Sequence, residues 1–221
     1  MSPEEILQGL YDETLIGNAP RVLELTQHGL DLDMTPETLL FDALIPSLEE
    51  VGARFERGDF FVPEMLIAGR AMSGALDLLR PLLAETGAQT VGTFLMGTVK
   101  GDVHDIGKNL VNIMLEGAGF HVIDLGVQVP PEKFIEAINE HHPDIVGMSA
   151  FLTTTMPMFK ANINALEKAG MRDQVIVMVG GAPVTQEYAD AVGADAYAPD
   201  ASATVKKAKA LIAERRASVL A

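Results

Sequence analysis

One loop of the sequence places a histidine close to a carboxylate. The loop, Gly101-Asp102-Val103-His104-Asp105-Ile106-Gly107-Lys108-Asn109, follows the apolar run 91–99 and precedes a helical repeat of apolar residues. An imidazole that binds a metal commonly donates its other ring N–H to a carboxylate, which fixes the tautomer and the orientation of the ring. His104 is therefore a candidate metal ligand that Asp102 orients. From these two residues alone, a loop histidine simply paired with an aspartate is the alternative.

The same loop does not match the common nucleotide-binding motifs. A Walker loop has four residues between its glycines and a Ser or Thr after Gly-Lys. Here five residues separate Gly101 from Gly107, and Asn109 follows Lys108. A Rossmann fingerprint has three glycines at other spacings. The loop therefore does not predict a phosphate cradle.

Composition excludes several other kinds of site. The chain has no cysteine, which rules out disulfides, thiolate zinc sites, iron–sulfur clusters and a cysteine nucleophile. A net charge of -15 and an aromatic content of 5% make nucleic acid an unsuitable partner. No apolar stretch reaches the ~18 residues of a membrane span, and the N-terminus does not resemble a signal peptide. We expect a cytoplasmic protein with no membrane segment and no nucleic-acid partner.

The first part of the chain has the pattern of a helical domain. Residues 1–88 carry five arginines against sixteen acidic residues, and their apolar residues recur at helical spacing. Prolines after Thr35 and Val62 suit the first turn of a helix. The pattern predicts a four-helix bundle within residues 1–88, with its helices at 3–16, 20–29, 36–57 and 63–85.

The second part, residues 89–221, alternates short apolar runs with amphipathic stretches. This alternation is typical of βαβ units around a parallel sheet. The expected strands are at 91–99, 121–125, 144–149, 175–179 and 194–198. Ligands bind at the carboxyl ends of the strands in such sheets, so the loops after the first, third and fourth strands are the candidate site.

Three elements on these loops resemble a known signature. Asp102-x-His104-x-x-Gly107, Ser149 and Gly180-Gly181 resemble the cobalamin-binding signature of the family that includes the corrinoid proteins of methyltransferase systems. The cobalamin modules of methionine synthase and of the carbon-skeleton mutases belong to the same family. The segment Phe55-Glu56-Arg57-Gly58-Asp59-Phe60-Phe61-Val62-Pro63-Glu64 is similar to the helical cap of methionine synthase. The resemblance thus covers nearly the whole chain.

The resemblance implies both a fold and a cofactor. The fold is α/β, with an N-terminal four-helix bundle cap followed by a flavodoxin-like (Rossmann-like) five-stranded parallel sheet with flanking helices. The cofactor is cobalamin, as methylcobalamin or as the Co(I) corrinoid. Its own lower base is displaced and enters the α/β domain as a tail, and His104 becomes the lower ligand of the cobalt, supported by Asp102. Ser149 would hydrogen-bond the tail base, and Gly180 and Gly181 would let the backbone approach it closely.

The resemblance also implies further cofactor contacts. In the family's usual Ser-x-Leu element, Phe151 occupies the leucine position. Thr155 could donate a hydroxyl to the Asp102 network or could simply belong to the start of a helix. Phe55 and Val62 correspond to residues that cover the methyl group, although Phe55 could equally belong to the bundle core. The remaining residues expected to contact the cofactor are Gly101, Asp105, Ile106, Gly107, Leu152 and Thr153.

The function that the resemblance implies is that of a methyl carrier in one-carbon metabolism. A substrate-specific methyltransferase would load the methyl group, and a second methyltransferase would pass it to tetrahydrofolate or coenzyme M. Both partners would be barrel proteins, and a reductive activase would restore the cofactor. A barrel needs ~250 residues, so this chain would be a non-autonomous subunit that leaves the choice of methanol, a methylamine, a betaine or an aryl ether to its partner. The alternatives are a cobalamin-dependent light sensor or regulator, which normally has a basic DNA-binding module, and a cobalamin-binding mutase subunit.

Overall fold

The computed structural model describes residues 1–86 and 90–220. The chain forms two compact units. One consists of residues 1–90 with 116–119, and the other of residues 91–115 with 120–221. The boundary expected between residues 88 and 89 lies outside the described residues.

The first unit is helical. Its helices are α1 (Pro3–Leu15), α2 (Ala19–Asp31), α3 (Pro36–Leu39), α4 (Ile45–Arg57) and α5 (Val62–Thr86), with a π-helical turn at Leu40–Leu44. Ser2 caps the N-terminus of α1 in a capping box. Its hydroxyl accepts a hydrogen bond from the Glu5 amide, and the Glu5 carboxylate accepts one from the Ser2 amide. The side chains at the centre of this unit are apolar and buried: Ile6, Leu10, Val22, Leu25, Leu44, Leu48, Met72 and Leu79.

The helix expected over 36–57 is present but is not a regular α-helix throughout. Pro46 has no backbone N–H and cannot donate to the carbonyl four residues earlier. Just before it, the amide of Ile45 bonds to the carbonyl of Leu40, five residues back rather than the four of an α-helix. This bonding pattern makes the segment a π-helical turn. The helix ends at Gly58, whose φ of 78° is the left-handed conformation usual at a helix C-terminus.

The second unit is an α/β domain with an all-parallel five-stranded sheet. Its strands are β1 (Thr93–Thr98), β2 (His121–Asp124), β3 (Ile145–Ser149), β4 (Ile176–Gly180) and β5 (Ala196–Ala198). They lie in the order β2-β1-β3-β4-β5, which is the flavodoxin-like order. The connecting helices are α6 (Ile106–Gly117), α7 (Pro131–His141), α8 (Pro157–Lys168), α9 (Gln186–Val192) and α10 (Ala201–Leu220). The predicted fold class is confirmed.

The two faces of this sheet differ at the carboxyl ends of β3 and β4. One face carries large apolar residues, such as Met148 and Val179, which belong to the main core of the domain. On the opposite face, Ser149 pairs with Gly180 in the register at the ends of the strands. Gly147, one pair earlier, lies beside Met178 and is covered by the side chains of Phe94 and Met96. The small residues of this face, Ser149 and Gly180, therefore lie at its carboxyl edge, next to the loops that hold the candidate site.

Within the part of the chain that the structure describes, no helix is long and apolar enough to cross a membrane.

Candidate functional site

The loop from β1 to α6 is held by backbone contacts at the carboxyl edge of the sheet. Gly101 has a φ of 86°, a conformation that favours glycine, and the amide of Asp102 bonds to the carbonyl of Val99 at 3.1 Å. The hydroxyl of Thr98, buried at the end of β1, donates to the carbonyl of His104 at 3.1 Å. These contacts fix the backbone on both sides of the candidate ligand.

Asp102 is fully buried, and both of its carboxylate oxygens accept hydrogen bonds. One oxygen accepts from Nδ1 of His104 at 2.7 Å and from the His104 amide at 3.1 Å. The other accepts from the Thr155 hydroxyl at 2.6 Å and from the amides of Phe151 and Leu152 at 2.8 and 3.2 Å. Asp102 therefore joins the loop after β1 to the loop after β3.

The hydrogen bonds keep Asp102 ionised. Burial by itself would raise the pKa of this carboxyl group, because a charge is less stable away from water. The bonds from Thr155, His104 and the Phe151 amide outweigh burial and hold the pKa of Asp102 well below its usual range. A carboxylate that stays charged accepts a proton-bearing Nδ1, so His104 is held in the tautomer whose Nε2 carries a free lone pair.

His104 is the only residue of this pair that reaches solvent. Its side chain is 44% exposed, whereas that of Asp102 is 0% exposed. Among the described residues, Nε2 of His104 has no hydrogen-bond partner, and no group of three or more potential metal-binding side chains occurs. A metal at Nε2 would therefore take its other ligands from a cofactor rather than from this chain.

The ring of Phe151 lies against the His104 imidazole. The two centroids are 4.5 Å apart, and the planes are inclined by 26°. Further exposed apolar side chains occur on the same group of loops, namely Val103, Ile106, Val127 and Leu152. Apolar groups so close to a free imidazole form a surface suited to a large flat ligand.

Glycines at the site differ in what surrounds them. Gly181 has a φ of 131°, and a Cβ there would lie 1.9 Å from the carbonyl oxygen of Ala150. A Cβ on Gly180 would lie 3.2 Å from the carbonyl oxygen of Ala198. A Cβ on Gly107 would meet no atom within 4 Å, so the described protein leaves open space beside this residue.

The remaining predicted residues occupy different positions. Ser149 is half-buried at the end of β3, Thr153 is exposed in the turn before α8, and Asp105 accepts from Asn109 at 3.2 Å. In the helical unit, Phe55 is in the last turn of α4 and Val62 is the first residue of α5, and both are half-buried. Cofactor contact by each of these residues stays a prediction.

Sequence reasoning missed an ion pair next to the site, between the buried Lys108 and the exposed Asp124. Nζ of Lys108, near the start of α6, donates to the Asp124 carboxylate at 2.5 Å and to the Asn109 amide oxygen at 2.7 Å. Asp124 also accepts from the amide of Gly126 at 2.9 Å, and the amide of Gln128 in the same loop bonds to the Asp102 carbonyl at 3.0 Å. The lysine of the Gly-Lys pair is the available signal, but in the sequence this pair resembles only part of a nucleotide-binding motif.

Two family profiles match the chain. A profile described as the B12 binding domain matches residues 92–206, and a second, also described as a B12 binding domain, matches residues 6–80. Together they extend over both structural units.

Curated relatives align along almost the whole chain. The dimethylamine corrinoid protein of Methanosarcina barkeri is 43% identical over 214 residues, which is 96% of this chain and 100% of the relative. The trimethylamine corrinoid protein 1 of Methanosarcina acetivorans is 38% identical and covers 96% of this chain and 99% of its own length.

Solved structures show the same fold. A chain of the methanol:cobalamin methyltransferase complex MtaBC from Methanosarcina barkeri superposes with a TM-score of 0.84 at 29% identity, covering 95% of this chain and 80% of that one. A cobalamin-binding protein from Desulfitobacterium hafniense DCB-2 gives a TM-score of 0.68 at 29% identity, covering 96% of this chain and 98% of the other.

Proposed function

Because this chain belongs to the family of B12-binding corrinoid proteins, we propose that His104 is the lower ligand of the cobalt in a cobalamin bound base-off. The protein is a cobalamin-binding methyl carrier of a methyltransferase system. When bound, the cofactor supplies the cobalt that accepts and releases the methyl group. The polypeptide supplies His104 as the ligand, and Asp102 holds its imidazole ring in place.

The observation that carries the ligand assignment is the state of the His104 ring. Nδ1 is held at 2.7 Å by a buried carboxylate, and Nε2 has no partner among the described residues. A metal-binding imidazole needs this arrangement, with one nitrogen fixed and the other free and basic. The negative charge of Asp102 lies beside the ring and favours coordination of a cation at Nε2.

The neighbouring residues fit the rest of a cobalamin. The displaced lower base needs a slot, and the small residues Ser149 and Gly180 pair with each other at the carboxyl ends of β3 and β4. The Ser149 hydroxyl can hydrogen-bond a base placed there. The open space beside Gly107 lies in the loop that carries the ligand, where a side chain would take room needed by the cofactor.

Methylated amines are the methyl donors that we propose, with dimethylamine first. The support is the 43% identity to a dimethylamine corrinoid protein along almost the entire chain. We propose that the donor is bound by a separate substrate-specific methyltransferase of the barrel type, as a related chain occurs in a methanol:cobalamin methyltransferase complex. A second methyltransferase would deliver the methyl group to tetrahydrofolate or coenzyme M, and a reductive activase would restore the Co(I) form.

Reconstitution with hydroxocobalamin tests the ligand assignment. We expect the electron paramagnetic resonance spectrum of the Co(II) form to show splitting by one imidazole nitrogen, and we expect His104→Ala to abolish that splitting. His141→Ala is the matched control, since His141 is in the last turn of α7 and has no role in the site. Splitting that survives in His104→Ala, or protein that takes up no cofactor, would contradict the proposal.

Labelled donors test the proposed substrate class. The Co(I) form is incubated with an extract of cells that produce the protein and with [14C]dimethylamine, [14C]trimethylamine or [14C]methanol. We expect label to become protein-bound fastest from dimethylamine, and we expect no transfer to His104→Ala above that of cofactor-free protein. Faster labelling from methanol than from either amine would show that the donor class is wrong, without affecting the ligand assignment.

A further inference from the structure

We propose that Phe151 is a positioning residue that fixes the direction in which Nε2 of His104 points. This inference rests on the proposed ligand role of His104. The ring of Phe151 lies on one face of the imidazole, with 4.5 Å between centroids and an angle of 26° between planes. The lone pair of Nε2 lies in the plane of its ring, so a neighbour stacked on the face leaves that lone pair free.

The contact with Asp102 does not orient the ring completely. The hydrogen bond at Nδ1 tolerates a range of lengths and angles, so it limits but does not abolish rotation about the χ1 and χ2 bonds of His104. A flat neighbour on one face opposes that rotation. The carboxylate and the phenyl ring together therefore define where Nε2 points, and neither does so alone.

Phe151 is itself anchored to the same carboxylate. Its amide donates to Asp102 at 2.8 Å, and the next amide, that of Leu152, donates to the same oxygen at 3.2 Å. The backbone below the phenyl ring is thus fixed relative to the imidazole. The imidazole and the backbone that carries the phenyl ring are thus hydrogen-bonded to one buried carboxylate, which holds them close together.

Core packing does not explain the position of Phe151. Its side chain is 52% exposed, and the residue is not part of the buried core of the domain. A half-exposed phenyl ring gains little from burial, so its main described contact is the face of His104. Leucine, which fills a similar volume, has no flat face to offer.

The expected effect follows from the strength of such a stack. Aromatic pairs contribute beyond the area that they bury, by an amount equal to roughly a threefold to tenfold change in an equilibrium constant. We therefore expect Phe151→Leu to weaken ligation of Co(II) by about threefold to tenfold. A ligand that binds Co(II) but not Co(I) lowers the Co(II)/Co(I) midpoint potential, so threefold to tenfold weaker ligation by His104 would raise that potential by roughly 30 to 60 mV, at about 59 mV per tenfold.

The first measurement uses the cofactor-free protein. In nuclear magnetic resonance spectra, the Hδ2 and Hε1 protons of His104 should be shifted upfield by the phenyl ring current. The shift should be lost in Phe151→Leu and retained in Phe151→Tyr, which keeps the ring. Phe41→Leu, the same change at a 40% exposed phenylalanine in the helical unit, is the matched control and should leave these protons unchanged. No upfield shift in the wild-type protein would overturn the proposal.

The second measurement uses the reconstituted protein. The midpoint potential should rise in Phe151→Leu, return towards the wild-type value in Phe151→Tyr and stay constant in Phe41→Leu. A nitrogen-split Co(II) signal in the wild type with an unchanged potential in Phe151→Leu would overturn the positioning role alone. Absence of nitrogen splitting in the wild type would overturn the ligand assignment together with this inference.

Discussion

Replacing Gly181 by alanine is expected to destabilise the α/β domain strongly. A Cβ at this position would lie 1.9 Å from the carbonyl oxygen of Ala150 and 2.9 Å from its carbonyl carbon. Both are backbone atoms at the end of β3, so no side-chain rotation can relieve the clash. The φ of 131° adds strain, because side chains rarely adopt it. We expect a loss of more than about 3 kcal/mol in the free energy of unfolding.

Gly170→Ala is the control that separates the clash from the cost of a positive φ. Gly170 is in the same unit and has a φ of 70°, but a Cβ there would meet no atom within 4 Å. Its replacement should cost only about 1 to 2 kcal/mol. Urea denaturation of the cofactor-free proteins, followed by circular dichroism, gives both values. Equal losses of unfolding free energy in the two variants would show that a clash with Ala150 does not contribute to the effect of Gly181→Ala.

Loss of the Asp102 carboxylate is the second change with a large expected effect. In Asp102→Ala, the amides of Phe151 and Leu152 and the hydroxyl of Thr155 lose a buried acceptor. Removing one partner of a buried charged network typically costs about 3 to 5 kcal/mol. We expect that loss in urea denaturation at neutral pH. Asp102→Asn should cost less, since the amide keeps the shape and one acceptor oxygen. A loss in Asp102→Ala no greater than in Asp102→Asn would contradict this account of the network.

The effect of Asp102→Asn should depend on pH. The pKa of this carboxyl group is lower in the folded protein than its ordinary value of 3.8, so the charged form stabilises the fold. That contribution is fully present above pH 3.8 and is lost as the pH falls through the folded-state pKa. The difference in unfolding free energy between the wild type and Asp102→Asn should therefore be constant near neutrality and should shrink in strongly acidic solution. If the difference in unfolding free energy grew as the pH fell, the charged form of Asp102 would not be the one that stabilises the fold.

Much of the fold could be predicted because its signals are local. The prolines at 36 and 63 mark helix starts, and β2 begins at His121, where the expected strand 121–125 begins. The π-helical turn before Pro46 was not predicted, since the apolar periodicity of 36–57 continues through it. Periodicity shows which residues face inward, whereas the hydrogen-bond pattern along the backbone depends on how the turn packs.

The site was predictable only in part, because most of its contacts join residues that are far apart in the sequence. Asp102 and His104 are two residues apart, so their spacing already indicates a contact. The bond from Thr155 stayed one of two alternatives, and the pairs Phe151–His104 and Lys108–Asp124 were not predicted. Each of these contacts joins residues from different loops or elements, and only the order of the strands brings them together.

The network around Asp102 also sets when the site can first exist during synthesis of the chain. Its partners in the loop after β3 follow it by 49, 50 and 53 residues. A nascent chain that has not yet released Thr155 from the ribosome has the histidine but not the groups that hold its carboxylate. Assembly must wait until β3 has paired with β1, a slow non-local step in a parallel sheet. Until β3 has paired with β1, a growing polypeptide does not present the finished ligand, so we expect cofactor loading to follow the pairing of these two strands.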